Sequence, residues 1–67
     1  MPQKEIKEYE ILLKLNPGQK NALFRLGVLY FEQGLHALGL TIYKELKQRD
    51  RNQAEELIQQ YGVYAKR

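Results

Sequence analysis

The chain contains no cysteine, no serine and no tryptophan, and it has a single histidine and a single threonine, Thr41. Without cysteine there is no disulfide framework. One histidine alone excludes a zinc site of the usual nitrogen and sulfur ligands. The usual hydroxyl and thiol nucleophiles are reduced to Thr41, and no glycine-rich phosphate loop follows a strand-like segment. The carboxylates fall on what read as exposed helix faces, so the sequence offers no set of groups for catalysis. No metal or cofactor is expected.

Long apolar runs are missing too. No stretch reaches the 18 or so residues a membrane-spanning helix needs, and no signal peptide with an apolar region and cleavage site is visible. These features lead to the expectation of a cytoplasmic protein with no membrane insertion. The net charge is +3, but lysines alternate with acids, as in Lys4-Glu5, Lys7-Glu8 and Lys44-Glu45. Alternation of this kind marks solvated helix faces and disfavours a nucleic-acid patch.

With 67 residues there is room for one small domain. Breaks divide it into four segments of helical length. Asn16-Pro17-Gly18 is the first, because proline cannot continue a helix and glycine eases the turn. Gly34 marks the second. A change of apolar phase near Asp50 to Asn52 marks the third, with Asn52 and Glu55 spaced as a capping box. The segments are residues 2–15, 19–33, 35–49 and 53–65, and none alternates like a strand. The fold expected is all-α, built from antiparallel helical hairpins that share the second helix.

In the first segment Ile6, Tyr9, Leu12 and Leu13 share a stripe, opposite Lys7, Glu10 and Lys14. The second is apolar over most of its circumference. Leu23, Leu26, Gly27 and Tyr30 form one face, Phe24, Val28 and Phe31 another, and Ala22 and Leu29 a third. Its polar wedge, made of Asn21, Arg25 and Glu32, is about 40° wide at 100° per residue. Such a helix is surrounded on most sides. The third segment is expected to bury Leu40, Tyr43 and Leu46, with Leu35, Leu38 and Ile42 on an adjoining stripe. The fourth sets Ala54, Leu57, Ile58, Tyr61 and Ala65 against Glu55, Glu56 and Gln59. The recurring tyrosines, Tyr9, Tyr30, Tyr43, Tyr61 and Tyr64, read as hydroxyl-tipped packing groups. His36 reads as a packed or solvated side chain, and Lys66-Arg67 as a solvated end.

Shifting the sequence by 34 residues against itself aligns Ile6 with Leu40, Tyr9 with Tyr43 and Leu12 with Leu46. The same shift aligns Leu23 with Leu57, Phe24 with Ile58 and Tyr30 with Tyr64. It fails at Gly27/Tyr61, Leu26/Gln60 and Leu13/Lys47. Residues 20–53 hold Ala22-Leu23, Leu26-Gly27, Tyr30, Gly34 and Tyr43 at spacings that resemble the tetratricopeptide repeat (TPR), with Leu23 where that family often has tryptophan. Upstream, Tyr9, Leu12-Leu13-Lys14-Leu15 and Asn16-Pro17 look like the second helix and closing proline of a preceding repeat. Departures are Gly39 and Leu46 for alanines, His36 for a common aromatic, and Arg51 for the closing proline. The resemblance implies an α-solenoid fragment within a single domain, 1–67. In it, 1–17 is half a repeat, 20–53 a complete one, and 54–67 a capping helix with Tyr61 in the glycine slot.

The resemblance also implies a protein or peptide partner held on a concave surface. By position that surface comprises Asn21, Phe24, Arg25, Val28, Phe31 and Glu32. Two readings of Phe24, Val28 and Phe31 stay open at this stage: the first and fourth helices cover them, or they form an apolar groove for a peptide. Some family members clamp a C-terminal carboxylate with lysine and asparagine, but Phe24 and Val28 occupy two of those positions. Leu35, Leu38 and Ile42 are unusual for the family. They pack locally or form a self-association surface for a homo-oligomer, which would also cover the apolar area expected to be exposed on the first segment, a second helix without its first. The leading expectation is an adaptor, assembly or chaperone-like binder; the alternative is a structural homo-oligomer.

Overall fold

The computed structural model describes residues 2–61 and is all-helical over them: α1 Pro2–Leu15, α2 Lys20–Glu32, α3 His36–Arg49 and α4 Arg51–Tyr61. The expected residues 62–65 of the last helix, and Tyr64, Ala65, Lys66 and Arg67 with them, lie outside the described residues. The Cα atoms span 31 × 27 × 15 Å, a slab two helices deep. Within it α2 is central and packs on α1, α3 and α4. Among the described residues α1 touches α2 alone, while α4 lies against both α2 and α3. This packing is compatible with a helical repeat.

Each turn has a local cause. Between α1 and α2, the Gln19 N–H donates to the Asn16 carbonyl at 3.3 Å, closing a four-residue turn with Pro17 in its second place. Gly18 keeps a negative φ there, since Gly34 is the one residue with positive φ among those described. Gly34 ends α2 at φ 78°. Its N–H donates to the Phe31 carbonyl at 3.1 Å and that of Leu35 to the Tyr30 carbonyl at 2.8 Å, the paired bonds of a Schellman cap. Only glycine takes that conformation without steric cost.

The third turn departs from the expected capping box. Asp50, not Asn52, caps α4: its Oδ1 accepts from the Gln53 N–H at 3.1 Å, and its carbonyl accepts from Ala54 at 3.0 Å. An aspartate in extended conformation just before the helix is a better acceptor for the orphan amides than an asparagine already inside it. α4 therefore begins at Arg51, earlier than the sequence suggested. The same carboxylate lies 3.6 Å from Lys20 Nζ, so the start of α2 meets the end of α3 and the two helices run antiparallel.

Two apolar clusters meet on α2. One gathers Leu23, Val28, Phe31, Leu46, Ala54 and Leu57, flanked by Phe24, Tyr43, Ile58 and Tyr61. The other gathers Ile6, Leu26, Leu29 and Tyr30 under Tyr9 and Leu13 of α1. Leu13 and Ile42 pack against both. Small residues let the helices close. A methyl on Gly39 would lie 2.7–2.9 Å from three carbons of the Phe31 ring. One on Gly27 would meet Leu57 Cδ2 at 2.7 Å and Ile42 Cγ2 at 3.2 Å. Gly27 thus admits α4 as well as its hairpin partner α3. Leu46 and Ala54 join the larger cluster with no exposure.

Candidate interaction surfaces

Two of the three residues of the apolar face expected on α2 are not at the surface. Phe31 has no solvent exposure and Val28 only 3%. The physical reason is the depth of the pocket that Gly39 opens: the Phe31 ring enters the α2–α3 interface and becomes the centre of the larger cluster. Phe24 is half-buried against that cluster, while Asn21, Arg25 and Glu32 remain exposed beside it. Val28 and Phe31 are covered, but α3 at Gly39 covers the Phe31 ring, a helix the covering reading did not name.

The second expected surface is also divided. Leu35 and Leu38 are exposed at the start of α3, but Ile42 belongs to the core, where it meets both clusters and the Gly27 backbone. Two further residues assigned to the core from sequence are exposed. Leu40 lies 120° around α3 from Leu46, beyond the reach of α2 and α4. Leu12 lies about 100° from Leu13 on α1, where no helix of the described residues covers it.

The uncovered apolar area expected on the first helix is present, at residues the sequence reading did not name for it. On α1, Ile11 is 53% exposed, Leu12 38% and Leu15 81%. At 100° per residue these side chains and Glu8 share one side of the helix. Glu5, Glu8, Tyr9 and Leu12 line a shallow concavity there. α1 is apolar over a wider arc than α2 can cover: Ile6, Tyr9 and Leu13 turn inward, and the remainder is left open. The signal was present in the apolar run Ile11-Leu12-Leu13 with Leu15. A run that wraps the helix calls for two neighbours, and the described residues supply one.

Polar contacts hold these surfaces in place. Tyr30 is buried, and its hydroxyl donates to the Glu10 carboxylate, tying α1 to α2. Burial, then the Glu10 hydrogen bond and its charge, raise the Tyr30 pKa well above its ordinary value. On α3 the Lys47 ammonium rests 5.8 Å from the centroid of the Tyr43 ring, within cation–π range. Among the described residues no cluster of three or more His, Asp or Glu could hold a metal ion. None of their helices is long and apolar enough to cross a membrane.

No protein-family model matches the sequence, and neither a curated protein nor a solved structure matches it.

Proposed function

We propose that this chain is a protein-interaction module of tetratricopeptide-repeat type, binding a helical partner on the open side of α1. The observation that carries the reading is the exposure of Ile11, Leu12 and Leu15 along one side of a helix that has a single neighbour among the described residues. Single exposed leucines need no explanation, but three on one face beside a concavity mark a site for an apolar partner. An amphipathic helix laid along the stripe is the partner that such a face recognises.

Support for the repeat reading comes from where its signature residues sit. Leu23, Leu26 and Tyr30 are buried, Gly34 makes the turn, and Gly27 stands where α3 and α4 approach closely. In a helical repeat each second helix packs between two first helices, and the open side of α1 is where another would lie. The exposed Asn21, Arg25 and Glu32, next to Phe24, offer a polar flank rather than an apolar groove. The adaptor class of function is kept, and the binding face moves from α2 to α1.

The test is a selection of helical peptides from a display library against the intact chain, repeated on Leu12→Glu/Leu15→Glu. Peptides that bind the parent and lose at least tenfold on the variant support the assignment. Peptides that bind both equally, or no enrichment, would end it. Association between copies through Leu35 and Leu38 is the second reading, favoured by their exposure at the α2–α3 turn.

A further inference from the structure

Two exposed stripes on different helices have the same spacing and opposite charge. On α1 the stripe is Glu5, Glu8, Leu12 and Leu15; on α3 it is Ala37, Leu40, Lys44 and Lys47. Both follow steps of three, four and three residues, which keep each set within about 80° of one helix side. All eight residues are exposed. α1 and α3 of one chain do not touch, so neither stripe is used within the molecule by the other. Among the described residues, Glu5, Glu8 and Lys44 have no ion pair, and Lys47 lies over its own Tyr43.

We infer that the occupant of the open α1 face is a second copy of this chain, which lays its α3 stripe antiparallel along α1. In that register Leu12 meets Leu40, Leu15 meets Ala37, Glu8 meets Lys44 and Glu5 meets Lys47. The alternatives fail on charge. A parallel pairing of the same two stripes sets Glu8 on Leu40 and Leu12 on Lys44. Two α1 stripes placed antiparallel set both glutamates on leucines, and placed parallel they set carboxylate on carboxylate. Two α3 stripes fail in the same two ways. Only the antiparallel α1–α3 pairing matches apolar with apolar and acid with base throughout. The concavity lined by Glu5, Glu8, Tyr9 and Leu12 then receives Leu40 at its apolar end and the lysines at its acidic end.

The contact joins two different surfaces, so every copy carries one donor stripe and one acceptor stripe. Its paired length is about 15 Å, ten residues at 1.5 Å each. That places it at the small end of specific interfaces, so the association is weak, of micromolar order or above. The ionic half weakens as salt shortens the screening length from about 10 Å at 0.1 M to about 3 Å at 1 M. The inference rests on the reading of α1 as the binding face and names its partner.

Charge reversal tests it. Glu5→Lys/Glu8→Lys leaves both stripes basic, and Lys44→Glu/Lys47→Glu leaves both acidic. Sedimentation equilibrium of the full chain, from low micromolar to several hundred micromolar, should show association that each variant loses alone. Mixing the two variants should restore it, since each then supplies the stripe the other lacks. All four positions are exposed, so circular dichroism and urea midpoints should be unchanged apart from small electrostatic effects. A wild-type chain that stays monomeric overturns the inference, as do variants that still self-associate or a mixture that does not. If self-association fails while the peptide selection still discriminates Leu12→Glu/Leu15→Glu, the self-contact falls and the binding face stands. If both fail, the proposed function falls with it.

Discussion

Replacing Gly39 by alanine sets two effects against each other, and the geometry decides which wins. In an exposed helix interior the change would stabilise by about 1 kcal/mol, because glycine gives up more backbone entropy. Here the new methyl would sit 2.7–2.9 Å from three carbons of the Phe31 ring. The ring is rigid and packs with the fully buried Leu46, Ala54 and Leu57, so it cannot swing away. Overpacking of this kind costs about 1–3 kcal/mol. Three simultaneous close contacts argue for the upper half of that range, leaving Gly39→Ala about 1–2 kcal/mol less stable than the parent. Replacing Phe31 by leucine removes the ring. In that background the alanine should keep only its propensity gain and stabilise by roughly 0.5–1 kcal/mol. The assay is urea unfolding followed by far-UV circular dichroism on the two singles and the double, in a buffer with stabilising osmolyte. The expected signature is a reversal of sign. A Gly39→Ala chain more stable than the parent with Phe31 intact would show that the ring does not fill this space. Gly27→Ala is a useful contrast, because its nearest neighbour is the end of the more adaptable Leu57 side chain, and a smaller loss is expected.

Phe31→Ala should cost about 3–5 kcal/mol and unfold much of a chain this small, whereas Phe24→Ala, at a half-buried site, should cost distinctly less; urea midpoints check both. Asp50→Ala removes the cap of α4 and should cost about 1 kcal/mol. Asp50→Asn keeps an acceptor and should cost less than Asp50→Ala, because the 3.6 Å pair with the half-exposed Lys20 adds little. Tyr30 supplies a pH signature. Its folded pKa is raised, so the folded chain holds a proton that the unfolded chain releases near pH 10. Its contribution is complete below that pH and falls as pH rises further. Tyr30→Phe should lower stability at neutral pH by about 1 kcal/mol and flatten the alkaline decline, seen as urea midpoints from pH 8 to 11.

How much of this was legible depended on what each residue needs from its neighbours. Helix bounds followed from local chemistry: Pro17 stops α1 and Gly34 takes a conformation closed to other residues, so both turns could be read directly. The all-round apolarity of residues 20–33 identified the central helix, and Leu23, Leu26 and Tyr30 are buried as expected. What a helical wheel could not supply is which apolar arcs find a cover. Phe31 and Val28 looked available because Leu23 and Leu26 already had a core, but the cluster that holds Leu23 extends around α2 to include both, over α4 and into the hole at Gly39. Leu40 and Leu12 matched buried residues in the 34-residue shift, yet each lies on an uncovered flank. The cap at Asp50 was missed for a smaller reason: residues on both sides of the break were polar, and the phase change placed it only to within a turn.

The central claim, that the open side of α1 is the binding face and α3 of another copy its occupant, is tested most directly by amide chemical shifts during dilution. A ¹⁵N-labelled chain diluted from high to low concentration should show shift changes along Glu5–Leu15 and Ala37–Lys47, with the buried stretch from Leu26 to Phe31 silent. Changes centred on Asn21, Phe24 and Arg25, or no concentration dependence at all, would contradict the account.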